Sequence, residues 1–406
     1  MGLTSYTFFG EEQSLKLANL IGTLKQEPEN GSFYTSSKEL LEKEKFTEVL
    51  TQYAKESSVL VNVDPKDFES VYNLLVALIK DATASVIPQL IKYIVDPIVA
   101  TATEKTLLKL RVLSNLYNNL ERTSPSRCDV YQGIVAVAAK GGEVDVLIPT
   151  LPLLDAWLAE WSVSADVKRQ LFLTISDVLG AHKQYKQQSY EHLLKYLSSF
   201  PATPESSPIT KPYALRAVTE AIRIPQVLDF EDLVALYAVQ ALKKDDAPLY
   251  DLLNIFLNES LAQYEAFCKS HAGFMDSHGL DHEQNLRKMK LLSLATLATS
   301  NVHGEVAYDI IAKNLNIDED DVEMWIIDAI RAGMIDAKMN QLKRVAVITR
   351  STHRVFGDAE WRQLRDKLKA WRSNLSEVLT VLGSTRRDVG EGFVQAADDA
   401  VAAVNN

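Results

Sequence analysis

Two histidines and a carboxylate are spaced as ligands on one helical face would be. His278 and His282 lie four residues apart, and Glu283 follows directly. Gly279 interrupts the pair, and a third ligand at a spacing typical of zinc sites is missing. A histidine near a helix start that hydrogen-bonds locally explains the pair better. We therefore expect neither a metal site nor a cofactor.

Catalytic motifs are absent from the sequence. It contains no GxGxxG or GxxxxGK[ST] loop for phosphates, no HExxH helix and no GxSxG turn. The acidic stretch Asp318–Asp321 stands where carboxylates stabilise a helix N-terminus. These observations predict a protein that is not an enzyme and has no small-molecule substrate.

The composition is that of a folded, mildly acidic protein. The 406 residues include 43 Lys+Arg and 54 Asp+Glu, a net charge of −11, and 47% are hydrophobic. This charge argues against general binding of polyanions. Only Cys128 and Cys268 occur, which favours a reducing compartment. No apolar run approaches the roughly 20 residues of a membrane span, and the polar start does not resemble a signal peptide. We expect a cytoplasmic protein without membrane contact.

Helical periodicity dominates the first half of the chain. Apolar residues recur every three or four positions, as in the stripe of Leu107, Leu110, Leu113, Tyr117 and Leu120. Successive amphipathic helices without strand-like alternation predict a helical-repeat solenoid over residues 1–200. The sequence shows no fixed repeat that would identify its class.

A proline-rich segment follows the predicted solenoid. Ser198–Pro212 holds four of the 13 prolines and is predicted to be an exposed loop. It could be a domain boundary or a loop within the helical stack, and the immediate return of helical periodicity favours the loop. Residues 201–298 are then predicted to be the helical part of a second domain.

The order helix, helix, β-hairpin is predicted over residues 299–352, as in a winged helix. The helices are Val306–Leu315 and 318–330, and the strands are Ile335–Met339 and Arg344–Thr349. The second helix, which often enters the DNA major groove, carries six acidic residues and no Lys or Arg. Phosphate repulsion therefore argues against DNA reading.

A long helix is predicted over residues 358–382, within a C-terminal segment 353–382. Its apolar residues are spaced alternately by three and four, a three-heptad seam that requires partner helices. Basic residues on the same helix could meet acidic neighbours in a bundle or touch RNA phosphate, and the seam favours the bundle. The possible RNA contacts are Arg362, Arg365, Lys369 and Arg372. Residues 383–406 are predicted to be a flexible tail.

This arrangement resembles the PCI-domain subunits of the proteasome lid, the COP-nine signalosome and translation initiation factor 3. The segments His282–Leu292 and Ser351–Gly357, followed by the seam residues, are similar to those of initiation factor 3 subunit M. Leu110–Tyr117 resembles a helix in the first half of that family, so the resemblance runs from about residue 100 to about residue 380.

The resemblance implies a non-catalytic scaffold subunit of initiation factor 3, bound to other PCI and MPN subunits and through them to the small ribosomal subunit. Winged helices of neighbouring subunits would lie side by side, and their terminal helices would share a bundle. A signalosome or lid subunit is the alternative, and a free-standing nucleic-acid-binding protein is a third hypothesis.

Two sets of residues are the predicted partner contacts. The first lies on the second hairpin strand, expected to be the outer one: Arg344, Val345, Val347 and Thr349. The second is the seam: Trp361, Leu364, Leu368, Trp371, Leu375 and Leu382. The alternative to partner contact is that these residues form an intramolecular core, with the two tryptophans folded back on the chain's own winged helix.

Overall fold

The computed structural model describes most of the chain. The described residues are 11–28, 30–43, 45–79, 85–101, 104–201, 203, 207–271, 273–302, 304–355, 357, 360–362 and 364–382. The predicted tail 383–406 lies outside them. The chain divides into two compact units, one running to Ile224 with Leu236–Ala238, and one made of Pro225–Ala235 and the residues from Val239 onward.

Helices form nearly all of the first unit. They are α1 Glu11–Leu24, α2 Ser32–Glu42, α3 Phe46–Lys55, α4 Ser57–Leu60, α5 Pro65–Ile79, α6 Ile87–Ala100, α7 Thr106–Asn119, α8 Ser126–Gly141, α9 Leu154–Glu160, α10 Ala165–Gly180, α11 Lys186–Ser198 and α12 Ser207–Arg223. Each helix packs mainly on helices close to it in sequence, as α7 does on α8 and α10 on α11. This is the packing of a helical stack, so the predicted solenoid is confirmed.

The predicted apolar stripe on α7 is largely buried. Leu110, Leu113 and Leu120 are buried, whereas Leu107 in the first helical turn is exposed. The periodicity therefore identifies the core-facing side of this helix correctly.

The predicted loop Ser198–Pro212 is shorter in the structure. α12 begins at Ser207, so two of the four prolines lie inside the helix. Pro208 is the second helical residue, where no intrahelical bond from its nitrogen is needed. Pro212 is the sixth helical residue, where the missing N–H removes one intrahelical hydrogen bond. The proline content therefore led to an overestimate of the length of the loop.

The second unit contains further helices and a small sheet. With α14, whose first two residues belong to the first unit, these elements are α13 Glu231–Ala235, α14 Tyr237–Asp245, α15 Ala247–Asn258, α16 Leu261–Ser270, α17 Phe274–Ser277, α18 His282–Ser300, β1 Glu305–Ala307, α19 Tyr308–Leu315, α20 Val322–Arg331, β2 Ile335–Asn340, β3 Val345–Ser351 and the terminal helix α21 at residues 360–382. None of the described helices is long and apolar enough to cross a membrane.

The long helix α18 connects the helical part to the winged helix. It packs on α16 and also on α19, α20 and β3. Ser351 at the end of β3 donates from Oγ to the Ala295 carbonyl at 3.0 Å, and lies 2.9 Å from Thr299 Oγ1. The winged helix is therefore held on α18 by both packing and hydrogen bonds.

The winged-helix sheet has one strand more than predicted. Val306 and Ala307, expected to begin the first helix, instead belong to strand β1, Glu305–Ala307, and the strand order is β1-β3-β2. β3 pairs with β1 through Val345 to Val347 and with β2 along its length. The second hairpin strand is therefore central, and the prediction that it is the outer strand is wrong.

A lysine lies inside the second unit. Lys288 on α18 is buried, and its Nζ lies 4.9 Å from the ring centre of Phe230. Burial penalises the charged form and lowers the pKa of Lys288 to about 7. The charged ammonium at lower pH therefore opposes folding.

Replacing Lys288 by methionine is expected to raise the free energy of unfolding near pH 7, and to raise it less near pH 10. Because the pKa of Lys288 is about 7 when folded and about 10.4 when unfolded, the unfolded state binds more protons between these values, and the wild-type chain gains stability as pH rises. Urea unfolding of both proteins at the two pH values measures the difference. An advantage that stays constant with pH would contradict the assignment.

Candidate partner-binding surfaces

The terminal helix α21 presents its apolar seam to solvent. The seam residues in heptad positions a and d are Trp361, Leu364, Leu368, Trp371, Leu375, Val378 and Leu382. Their exposed fractions run from 39% at Leu364 to 64% at Trp371 and Leu375. Both tryptophans are more than half exposed, so the alternative in which they fold back into an intramolecular core is wrong. Exposed apolar surface of this length is typical of an interaction site.

The predicted RNA-contact residues lie on the same helix. Arg362, Arg365, Lys369 and Arg372 are all exposed. Arg365 Nε lies 3.1 Å from Asp366 Oδ1, an exposed pair that contributes little stability. The structure thus brings these four residues onto one helix beside the seam.

Arg354 ties the segment before the terminal helix to the end of α15. Its Nη1 donates to the Glu259 carbonyl at 3.0 Å, and its Nη2 donates to the carbonyls of Ile255 and Phe256 at 3.1 and 2.5 Å. These carbonyls lie in the last turn of α15 or just beyond it, where the helix dipole is negative and most carbonyls lack intrahelical partners. The Ile255 carbonyl also accepts from the Glu259 amide at 3.1 Å. Burial lowers the pKa of Arg354 to about 10, which leaves it charged at neutral pH.

The hairpin residues predicted to bind partners lie at or beside the pairing with β1. Val345 and Val347 on β3 are half-buried, and Thr349, beyond the last paired residue of β1, is exposed. Arg344, in the turn before β3, contacts Glu319 with 3.1 Å between Nη1 and Oε1. Because β1 and β2 pair with the two edges of β3, a partner could contact these residues only through their side chains on the exposed face of the sheet.

The open backbone edge is on β2 instead. Ile348 donates to the Gly304 carbonyl and Arg344 accepts from Tyr308, so even-numbered residues of β3 bond toward β1. The odd-numbered residues Val345 and Val347 therefore bond toward β2, where they pair with Asn340 and Lys338. The intervening amide of Met339 points away from the sheet, where another strand could pair.

The second winged-helix helix, α20, is engaged by α18 along one side. Arg287 Nη2 lies 2.5 Å from Asp328 Oδ2, and Lys290 Nζ lies 5.3 Å from the centre of the Trp325 ring. The residues preceding α20 form an acidic 3-10 turn, Glu319–Asp321. Acidic charge and contact with α18 both oppose insertion of α20 into a DNA groove.

The histidine pair has local partners. His282 Nδ1 lies 3.2 Å from Tyr264 Oη and 3.8 Å from Cys268 Sγ, and the His278 ring lies 4.4 Å from that of Phe274. Among the described residues, no group of three His, Cys, Asp or Glu side chains is placed to hold a metal. His282 thus lies beside α16, whereas His278 lies beside Phe274 of α17.

Comparison with protein families matches the two parts of this region separately. The PCI domain family matches residues 261–350, which include α16, α18 and the winged helix. A family described as eIF3 subunit M, C-terminal helix, matches residues 354–382. The second match begins at Arg354 and ends with the seam.

Relatives extend the likeness to most of the chain. Proteins named eukaryotic translation initiation factor 3 subunit M are 34% identical in Phaeosphaeria nodorum, over 93% of this chain and 87% of the relative, and 36% identical in Aspergillus oryzae, over 86% and 77%. The Neosartorya fischeri protein of that name is 32% identical over 96% and 84%. This chain belongs to the family of initiation factor 3 subunit M.

Membership of this family confirms the resemblance drawn from the sequence, including the PCI domain and the C-terminal helix. The relatives are named as subunits of a translation initiation factor. The Neosartorya fischeri relative aligns with 96% of this chain, so the similarity includes most of the first 100 residues. The motifs alone indicated similarity only from about residue 100 to about residue 380.

Sequence reasoning missed the role of Arg354 and the strand β1. Arg354 was included in a family-like segment, but its partners lie 95 to 99 residues earlier in the chain. β1 has only three residues, too few to show alternation. Local periodicity carries no signal for either feature.

Replacing Arg354 by alanine is expected to lower the free energy of unfolding by about 2–4 kcal/mol, because hydrogen bonds from a charged donor each contribute roughly 1.5–3 kcal/mol. Lysine at this position should restore less than half, since one ammonium cannot reproduce the guanidinium fork. Urea unfolding of the full chain measures both.

Arg350→Ala is the matched control for this prediction. Arg350 pairs with Asp336 at 2.9 Å on the surface, so its loss should cost less than about 1 kcal/mol. Equal stability of Arg354→Ala and Arg350→Ala would contradict the proposed anchoring.

Proposed function

We propose that this chain is a non-catalytic scaffold subunit of translation initiation factor 3. In this role it supports assembly of the preinitiation complex on the small ribosomal subunit and recruitment of mRNA, in the cytoplasm. Its direct partners are other PCI and MPN subunits, and it reaches the ribosome through them. The names of its relatives support the assembly, and the exposed seam of α21 is the observation that supports the scaffold role.

The seam supports docking because exposed apolar surface of this extent is unfavourable in water. Two tryptophans and five aliphatic residues, each at least 39% exposed, lie on one side of a single helix. Burying apolar surface yields roughly 25 cal/mol per Å², so covering such a stripe favours association strongly. A helix bundle shared with neighbouring subunits would supply this cover.

The sheet offers a second, smaller surface. The proposed contacts Val345, Val347 and Thr349 lie on β3, and the free amide of Met339 lies on β2. A neighbouring winged helix could cover the sheet face or add a strand along β2. The proposed strand contact is therefore on β2, next to the strand β3 that was expected from sequence.

Substituting Leu368 and Trp371 by aspartate is expected to lower the recovery of the other subunits with the tagged chain more than about tenfold, because two charges would be buried in the bundle. The tagged full chain is purified from its own cells, with and without ribonuclease, and the recovered subunits are quantified by mass spectrometry. Circular dichroism tests whether the solenoid stays folded.

Ala370→Asp with Ser373→Asp is the matched control, since both residues are exposed, have the same spacing and lie off the seam. This control should be recovered like the wild type. Retained subunits in the Leu368/Trp371 variant with a normal spectrum would contradict the proposal. Recovery of signalosome or lid subunits would favour that assembly, and ribonuclease-dependent loss of every partner would favour the nucleic-acid hypothesis.

Replacing Met339 by proline is expected to reduce recovery of neighbouring subunits about fivefold if a partner strand pairs with β2, because one hydrogen bond of about 1 kcal/mol is lost. The ladder with β3 keeps its bonds, so the melting temperature should change little. Met339→Ala, which retains the amide hydrogen, should bind like the wild type. Equal recovery of all three proteins would exclude strand addition at this edge.

A further inference from the structure

The free edge of β2 has a sequence that is complementary to itself. Its central residues are Asp336, Ala337 and Lys338, and the apolar residues Ile335 and Met339 stand at equal distances on either side of Ala337. Reversing the strand about Ala337 therefore exchanges an acidic residue with a basic one, and one apolar residue with another. This symmetry is what pairing of β2 with the antiparallel β2 of a second copy requires.

The backbone of β2 has the polar groups that this pairing needs. Lys338 bonds toward β3, where it lies opposite Val347. Because backbone groups point alternately to the two sides of a strand, the amides and carbonyls of Ala337 and Met339 point away from the sheet. β2 is the last strand in the order β1-β3-β2, so no described strand covers these groups. A second strand could hydrogen-bond to them.

One register pairs the charges favourably. With Ala337 opposite Ala337 of a second copy, Asp336 lies opposite Lys338 of that copy, and the reverse pair forms by symmetry. These are non-hydrogen-bonded positions, where the Cα atoms are about 4.5 Å apart and the side chains are close. Moving the second copy by two residues in either direction would place Asp336 on its own equivalent or Lys338 on its own equivalent. Like charges directly opposite each other are unfavourable.

The two faces of β2 both agree with this register. Asp336 and Lys338 are exposed on one face. Asp336 lies 2.9 Å from Arg350, but among the described residues no carboxylate lies within ion-pair distance of Lys338. On the other face Met339, which is 39% exposed, would lie opposite Ile335 of the second copy. The second copy would therefore supply a counter-ion for Lys338 and an apolar neighbour for Met339.

We infer that β2 is a self-association site, through which two copies of the free chain pair as antiparallel strands about a two-fold axis at Ala337. The contact is short, so the dimer is expected to form and separate readily. Pairing of this kind also protects an exposed strand edge from irregular association while the chain is outside its complex. The inference goes beyond the proposed scaffold role and does not depend on it, since it concerns the isolated chain.

The same edge is the proposed place for a strand of a neighbouring subunit. The two uses exclude each other, because one strand edge accepts one strand. A foreign strand would not require β2 to be complementary to itself, whereas a second copy does. The reversal symmetry about Ala337 therefore favours a second copy as the occupant in the free chain.

Charge reversal on β2 tests the inference by sedimentation of the full chain. All proteins carry Leu368→Asp with Trp371→Asp, so that the apolar side of α21 does not itself associate. This parent should be monomeric at about 1 µM and dimeric at about 100 µM, because small interfaces associate weakly. Asp336→Lys and Lys338→Asp each bring like charges together across the axis. Each should raise the dissociation constant of the dimer about tenfold or more.

A mixture of these two single variants is the most specific measurement. Asp336→Lys presents two lysines and Lys338→Asp presents two aspartates, so a mixed pair regains both opposite charges. The mixture should dimerise within about threefold of the parent, although neither variant does so alone. The double variant that carries both substitutions should recover in the same way. Lys343→Asp, with the same charge change in the turn beyond β2, is the matched control and should dimerise like the parent.

Circular dichroism of each variant establishes that it is folded. Asp336→Lys removes the surface pair with Arg350, but Lys338→Asp breaks no described ion pair. The comparison of Lys338→Asp with Lys343→Asp therefore decides the outcome even if Asp336→Lys does not fold.

Three results would overturn the inference: a parent that stays monomeric at the higher concentration, a dimer that is insensitive to both charge reversals, or a mixture that associates no better than the single variants. None of them bears on the scaffold role, which is tested by recovery of the other subunits with the Leu368/Trp371 variant. If that variant retains the other subunits while β2 pairs as expected, the scaffold role alone fails.

Discussion

A helix with one apolar side is stabilised when that side is buried, and α21 leaves its apolar side exposed among the residues that the structure describes. In α7, by contrast, Leu110 and Leu113 on the apolar side are buried within the first unit. In α21 the same pattern is left exposed from Trp361 to Leu382. This exposed stripe is the observation that supports the proposed role in an assembly, because apolar surface of this extent favours association.

The rest of the second unit anchors the segment that precedes this helix. α18 carries the winged helix through β3, and Arg354 binds the end of α15 just before α21 begins. Such charge-assisted bonds to helix-terminal carbonyls are directional and resist small displacements. The unit thus provides an anchored start for the helix and, through β2, an additional open edge.

The predictability of these features depended on how local they are. The seam, the two winged-helix helices and the hairpin all follow from periodicity and turn residues within about 25 residues of chain. The central position of β3 does not, because it depends on the pairing of Val306 with Ala346, 40 residues away in sequence. Periodicity places Trp371 on the apolar side of its helix but does not indicate whether the same chain covers that side. Only the structure shows that Trp371 is exposed.

The most direct test of this account is the oxidation of tryptophan side chains by hydroxyl radicals, compared between the free chain and the chain in its complex. Trp361 and Trp371 are more than half exposed in the chain alone, whereas Trp161 is buried and serves as the internal reference. Both terminal tryptophans are expected to be oxidised rapidly in the free chain and to be strongly protected in the complex. Equal oxidation in the two states would contradict burial of the seam by partner subunits.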